Sequence, residues 1–119
     1  MTPTITEIAT NFSQHRFADT YPSMLDDIEW TQIGGPHVRG KDDVVGVCEE
    51  SAAYLAGVKT TFRRFRVIES GGFVVIDSLA DYDGADGSTT VASCDIYDFD
   101  DGQLAAITSF TVELGADDR

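Results

Sequence analysis

The sequence predicts an α+β domain in which helices from the first half cover one face of a curved, mostly antiparallel sheet built by the second half. Two features carry that prediction. Up to Gly57 the apolar residues recur mainly at helical spacing, whereas from Lys59 onward they alternate with period two. The alternating half also contains Gly71-Gly72, Gly84-Ala85-Asp86-Gly87 and Asp101-Gly102, connections short enough to imply antiparallel neighbours. At 119 residues the chain is long enough to bury a core without disulfides or metals, and no linker, repeat or low-complexity tract divides it. We read one domain over 1–119, with a core from about 5 to 114 and a frayed tail at 115–119.

Thr4 and Glu7 form a capping box, in which the Thr hydroxyl and the Glu carboxylate each satisfy a free amide of the first turn. Ile5, Ile8, Ala9 and Phe12 follow on one helical face. Phe17, Tyr21, Met24 and Leu25 continue an apolar face around Pro22, which predicts a second short helix ending before Asp26-Asp27. Ile28-Glu29-Trp30-Thr31-Gln32-Ile33 alternates apolar with polar and reads as a half-buried strand, ended by Gly34-Gly35-Pro36. His37-Val38-Arg39 is a short extended piece. Gly40 then opens the longest helix. Its Asp42 and Asp43 complement the helix dipole, and its inward stripe is Val44, Val47, Cys48, Ser51 and Leu55. Gly57 ends it just past the C-cap. Four long strands follow: Thr60 to Glu69, Phe73 to Asp83, Ser88 to Phe99 and Leu104 to Leu114. The last two are joined by an Asp-Gly turn, the strongest hairpin signal a short sequence carries.

Acidic residues number 21 against 8 basic ones, a formal net charge of −13. Such a surface repels phosphate backbones and anionic membranes, so neither nucleic acid nor membrane is expected as a partner. Cys48 and Cys94 fall in an apolar helix and an apolar strand, where they read as buried free thiols of a reducing compartment. There is no basic leader with an apolar run behind it and no stretch of about 18 apolar residues, so a soluble cytoplasmic protein is expected. No His and Cys spacing suits zinc. Asp81-Tyr82-Asp83-Gly84-Ala85-Asp86-Gly87 superficially resembles a calcium loop, but Ala92 stands where a bidentate Glu is needed, so it reads as a polar hairpin turn. Gly34-Gly35 lacks the Lys-Ser/Thr of a phosphate loop.

Asp95 is the residue of most chemical interest. It lies mid-strand with Ser93, Tyr97 and Phe99 on the same side, and a carboxylate among aromatics costs free energy unless it is hydrogen-bonded, protonated or used. In the sequence all three stay open. Asp77 is a second mid-strand acid, and the hairpin register decides whether it joins Asp95. A three-residue Gly84-Ala85-Asp86 loop sets Asp77 across from Ser93, while a two-residue loop sets Ile76 across from Asp95. Two acids sharing a dry cavity would leave one protonated near neutral pH, the usual arrangement for general acid and base work. His37 follows a Gly-Gly-Pro turn and reads as a surface residue or as a base at a cavity mouth. His15 reads as a favourable charge at a helix end. Trp30 and Tyr97, with Phe12 and Ser109, are candidate ligand-contacting residues. Arg63, Arg64 and Arg66 fall in one strand, with Arg64 and Arg66 on the face of Phe62 and Ile68. They answer the acidic surplus or, on a sharper reading, hold an anionic ligand or cross a dimer interface.

The order of elements and several stretches resemble a known group. A strand closing with Trp30-Thr31-Gln32-Ile33-Gly34-Gly35, then Arg39-Gly40-Lys41 before a long helix, then a meander ending in Asp95-Ile96-Tyr97-Asp98-Phe99-Asp100-Asp101-Gly102-Gln103-Leu104 and Ile107-Thr108-Ser109-Phe110, looks like the SnoaL-like branch of the nuclear transport factor 2-like superfamily. The resemblance runs from about Ile5 to Leu114. It implies a cone-shaped pocket between the curved sheet and the helices, and commonly a homodimer through the outer sheet face. It does not imply one activity, since the fold hosts isomerases, cyclases, dehydratases, epoxide hydrolases and non-catalytic modules. Ketosteroid isomerases of the fold carry an Asp in the strand before the final hairpin, and Asp95 matches it; their Tyr falls near Ile8 and their Asp base at Thr31. The epoxide hydrolases need an Arg between two acids, whereas Asp77 and Asp81 have none between them and Ser109 stands where a closing acid is expected. The polyketide-cyclase type, which relies on a pocket acid and sometimes a His, is the least contradicted.

The sequence reading is therefore a pocket for an apolar, oxygenated small molecule, worked without cofactor or metal by an isomerase, cyclase or hydrolase. Asp95 is its acid or base, Asp77 or His37 its helper, and Trp30 with Tyr97 its walls. The competing reading is a non-catalytic dimeric module that carries or senses a ligand.

Overall fold

The computed structural model describes residues 2–115; of the tail expected at 115–119, residues 116–119 lie outside the described residues. Helix α1 (Ile5–Ser13) opens with the capping box, the Thr4 hydroxyl accepting from the Glu7 amide and the Glu7 carboxylate from the Thr4 amide, each at 3.1 Å. It buries Ile8, Ala9, Phe12 and Ser13. A 3₁₀ helix (Phe17–Ser23) follows, and its Tyr21 hydroxyl donates to Glu49 at 2.8 Å. This helix is shorter than the apolar pattern suggests. Met24 and Leu25 already belong to β1 (Met24–Gln32), because Met24 pairs with Leu104 and backbone pairing outweighs the local periodicity.

The remaining elements are β2 (His37–Arg39), α2 (Lys41–Leu55), β3 (Lys59–Ser70), β4 (Phe73–Gly84), β5 (Gly87–Asp100) and β6 (Gln103–Leu114). The described residues form one open six-stranded sheet in the order β2-β1-β6-β5-β4-β3. All neighbours are antiparallel except β1 and β6, which run parallel. Helix α1 lies against the inner face of β3 to β6, and α2 packs on β1 and β2. The core between them includes Ile8, Phe12, Ile28, Trp30, Val74, Ile76, Tyr97, Leu104 and Ile107. Cys48 is buried, Cys94 is half-buried, and both are free thiols. Among the described residues no helix is long and apolar enough to cross a membrane.

Turn chemistry sets the register that positions the site. Asp101 and Gly102 both have positive φ, 50° and 81°, so two residues reverse the chain and Asp100 pairs with Gln103. The β4–β5 hairpin likewise closes in two residues, Ala85 and Asp86, with Gly84 paired to Gly87. Ile76 then lies across from Asp95 and Asp77 across from Cys94, so the two acids face opposite sides of the sheet. In β3 a bulge between Phe62 and Arg64 breaks the alternation. Phe62 therefore turns inward to meet Phe65, their ring centroids 5.2 Å apart, and does not share the outer face of Arg64, Arg66 and Ile68 as strict alternation implied.

Ile28 is fully buried. Its replacement by Ala removes three buried carbons and leaves a cavity, so urea denaturation of Ile28→Ala is expected to show a loss of about 2–5 kcal/mol. Thr4→Ala, which removes half of the capping box, should lose about 1 kcal/mol. A loss for Ile28→Ala no larger than that for Thr4→Ala would contradict this packing.

Candidate functional site

The centre of the site lies where β1, β6 and β5 run side by side. Their register sets Asp95 across from Ser109, Tyr97 across from Ile107, and Trp30 beside Ile107. Helix α1 closes it from the other side with its last residue, the buried Ser13. The Trp30 indole N–H donates to the Ser109 hydroxyl oxygen at 3.0 Å. An indole can only donate, so Ser109 accepts from it and turns its own proton to the Asp95 carboxylate. Ser13 Oγ lies 3.3 Å from Asp95 Oδ2 and 2.5 Å from the Tyr97 hydroxyl. With Ser13 donating to the carboxylate, Tyr97 donates to Ser13. Two short relays, each beginning at an aromatic donor, thus end on one carboxylate. Phe12 fits between the aromatic ends, edge-on to Trp30 at 5.1 Å and to Tyr97 at 5.9 Å.

This environment raises the Asp95 pKa above its ordinary value. Burial is the cause, and the hydrogen bonds from Ser109 and Ser13 to the charged form oppose it. Burial, reinforced by the Asp95 charge, also pushes the Tyr97 hydroxyl far up, so Tyr97 stays a neutral donor.

Beyond Asp95 the inner face continues in rows across β6, β5 and β4: Thr111, Ser93 and Ser78, then Glu113, Val91 and Ala80. Over this end opens a cleft of about 870 Å³, between the C-terminal half of α2 and the tip of the β4–β5 hairpin. His15 and Tyr82 line it. The Tyr82 hydroxyl lies 3.4 Å from His15 Nε2. The imidazole has Phe17, Phe62 and Tyr82 around it, at 5.8, 6.0 and 5.8 Å between ring centroids. Burial in that setting lowers the His15 pKa, so the ring is neutral at neutral pH. Burial and then the Asp95 charge raise the Tyr82 pKa, which puts Asp95 within electrostatic reach of the cleft wall.

The structure brings Asp95, Ser109, Trp30, Tyr97 and Phe12 together. Trp30, Tyr97, Phe12 and Ser109 are at most 8% exposed, so they form the support beneath Asp95 and not an open wall of the cleft. Asp77 is elsewhere. The two-residue hairpin turn puts it on the outer face, where Arg64 bonds its carboxylate at 3.2 Å and Arg66 through Nε at 2.7 Å. These guanidiniums, Arg66 first, hold its pKa below the ordinary value. His37 pairs with Thr31, whose neighbour Trp30 points inward, so His37 points outward. It is exposed and lies 3.8 Å from Glu29. Neither Asp77 nor His37 stands at the side of Asp95, where a helper was expected.

His15 and Tyr82 were missed in the sequence. His15 looked like a helix-end charge, but its ring is half-buried among aromatics, and its φ of 68° follows the C-cap Gln14, a place that favours Gly or Asn. That mismatch was the available signal. Tyr82 could have been found by its phase, since it alternates with Ile76, Ser78 and Ala80 on β4. Among the described residues, no group of three or more His, Cys, Asp or Glu is placed to hold a metal ion.

No protein-family model matches the chain, and no curated protein matches it. Solved structures do. An NTF2-like protein from Cytophaga hutchinsonii is 34% identical, covering 88% of this chain and 93% of that one, with a TM-score of 0.79. An LEH-like epoxide hydrolase from M. tuberculosis has a TM-score of 0.68 at 12% identity, over 91% of this chain and 82% of that one. A candidate SnoaL-like polyketide cyclase from Mesorhizobium loti has a TM-score of 0.63 at 14% identity, over 88% and 93%. These last two share the fold.

Ser109→Ala removes a hydrogen bond to the charged form of Asp95, so its pKa should rise further, as read by carboxyl carbon-13 titration. An unchanged or lower value would break the relay. Linkage adds a second expectation. The folded pKa of Asp95 lies above the ordinary 3.8, so the folded state holds this proton more tightly than the unfolded chain. The stabilisation is complete below the unfolded pKa and is lost as pH rises through the folded one. In denaturation series across that window, the stability of Asp95→Asn relative to wild type should therefore increase with pH.

Proposed function

The chain belongs to the NTF2-like family, and on that premise we propose that it is a SnoaL-like small-molecule pocket protein performing cofactor-free proton transfer on an apolar, oxygenated ligand, with Asp95 as its acid–base centre. One observation carries the reading: a carboxyl raised by burial and held by two side-chain hydroxyls, Ser13 and Ser109, themselves fixed by Tyr97 and Trp30. A carboxyl raised in this way is suited to give or take a proton. An isomerase, cyclase or hydrolase fits this chemistry. The acid-and-Arg arrangement of an epoxide hydrolase is not supported at this site, because Asp77 with Arg64 and Arg66 lies on the opposite face.

The second reading, a non-catalytic module, draws support from the depth at which Trp30, Tyr97 and Phe12 are buried. Side-chain hydroxyls on Asp95 favour the enzyme, since a purely structural carboxylate would be satisfied as well by backbone amides. We further propose a cytoplasmic homodimer through the outer sheet face. That face exposes Ile68, Phe73, Phe110 and Val112 at 58%, 52%, 43% and 59%, an apolar patch that a second copy would cover.

A thermal-shift screen of uncharged lactones, ketones, epoxides and aromatic polyketide-like compounds tests the pocket, since a ligand of the folded state raises the melting temperature by mass action. Hits should be lost in Asp95→Asn, and any turnover should fall by about 10²- to 10⁴-fold. Undiminished turnover would remove Asp95 from the role, and no hit in any class would favour the module. For the dimer, Phe110→Glu with Val112→Glu should halve the mass seen by light scattering. A monomeric wild type would sink that proposal.

A further inference from the structure

Asp95 is two inner-face rows deeper than Val91, the residue nearest to it on β5 that lines the cleft, which is about 13 Å along the strand. His15 and Tyr82 line the cleft, and Asp95 does not. The end of α1 serves both places at once: Ser13 reaches Asp95, and two residues later His15 reaches the cleft, within 3.4 Å of the Tyr82 hydroxyl. His15 keeps a left-handed backbone that favours Gly or Asn, held there by ring contacts from Phe17, Phe62 and Tyr82.

Resting on the pocket reading above but moving the direct proton exchange from Asp95 to the cleft, we propose that His15 is the base that meets the ligand, that Tyr82 links it to Asp95, and that the ligand is uncharged. A neutral imidazole has a free lone pair and accepts a proton without first losing one. The titratable groups that share its cleft are Tyr82 from β4, Glu50 and Tyr54 from α2, Asp86 from the hairpin turn and Glu113 from β6. Among the described residues lining the cleft none is Lys or Arg. These carboxylates repel a carboxylate or phosphate on the ligand. The division of labour follows: His15 exchanges the proton with the ligand, and Asp95 tunes that exchange through Tyr82.

The probe is 5-nitrobenzisoxazole, an uncharged aromatic carbon acid. A base takes the proton from its C3, the electrons of that C–H bond complete a nitrile, and the N–O bond breaks with its pair on oxygen, giving 2-cyano-4-nitrophenolate. No other reactant is needed. Wild-type protein should open the ring at a rate that rises with pH through an inflection below 6.5, the ordinary His value. His15→Asn, whose side chain tolerates the left-handed backbone, should remove the inflection and lower the rate about 100-fold. Asp95→Asn should slow the reaction yet keep the inflection, since Asp95 acts on Tyr82 and not on the imidazole itself. The same ring bearing a carboxylate should react more slowly, and equal rates would overturn the uncharged ligand. Circular dichroism confirms that each variant is folded. Survival of the inflection in His15→Asn, or its absence in wild type, would overturn the role of His15. If Asp95→Asn alone then abolishes the rate, Asp95 meets the ligand itself and the pocket reading stands; full rates in both variants would overturn the two together.

Discussion

The site depends on the side-by-side registration of β1, β6 and β5. Because β6 is parallel to β1 and antiparallel to β5, Trp30 from the first half of the chain and the hairpin residues Asp95 and Ser109 reach one patch of inner face. A carboxylate placed there would be costly if unpaired. Two hydroxyls offset that cost, and each is oriented by an aromatic donor that cannot reverse its role or is too buried to ionise. The packing of Phe12 against Trp30 and Tyr97 therefore does more than fill volume, since it holds the donors from which both relays start.

The same registration sorts charge between the two faces. Asp77, Arg64 and Arg66 pair on the outer face, and Arg63 pairs with Asp81 at 2.6 Å. The inner end of the sheet has hydroxyls, aromatic rings and carboxylates, with no Lys or Arg among the described residues lining the cleft. For a chain of net charge −13, that distribution leaves the cleft strongly biased against anions. Apolar surface is sorted as well. The inner face is covered by α1, whereas the outer face exposes Phe110 and Val112 beside the arginine pairs.

Helix α1 joins the buried and accessible parts of this arrangement. Its capping box starts it at Ile5, nine residues bring it to Ser13, and past Gln14 the left-handed turn at His15 puts that imidazole in the cleft wall. Moving the end of α1 would move Ser13 and His15 together, so the support of Asp95 and the ring at the cleft wall share one mechanical origin.

Much of this was legible in the sequence. Periodicity separated helices from strands, the Asp101-Gly102 turn marked its hairpin, and the period-two phase grouped Asp95 with Tyr97 because side-chain alternation is a local property of a strand. Local patterns also marked Trp30, Phe12 and Ser109, without stating that they would meet. What tertiary structure decided depended on events with no strong local signal. A two-residue loop in place of a three-residue loop at Ala85-Asp86 turned Asp77 outward, the bulge at Arg63 turned Phe62 inward, and pairing of Met24 with Leu104 drew β1 forward into the expected short helix. Each is a one-residue choice that reverses or shifts every side chain beyond it. The protonation of His15 belongs to the same class, for a helix-end histidine is buried and neutral only when Phe62 and Tyr82 from the sheet join the nearby Phe17 around it.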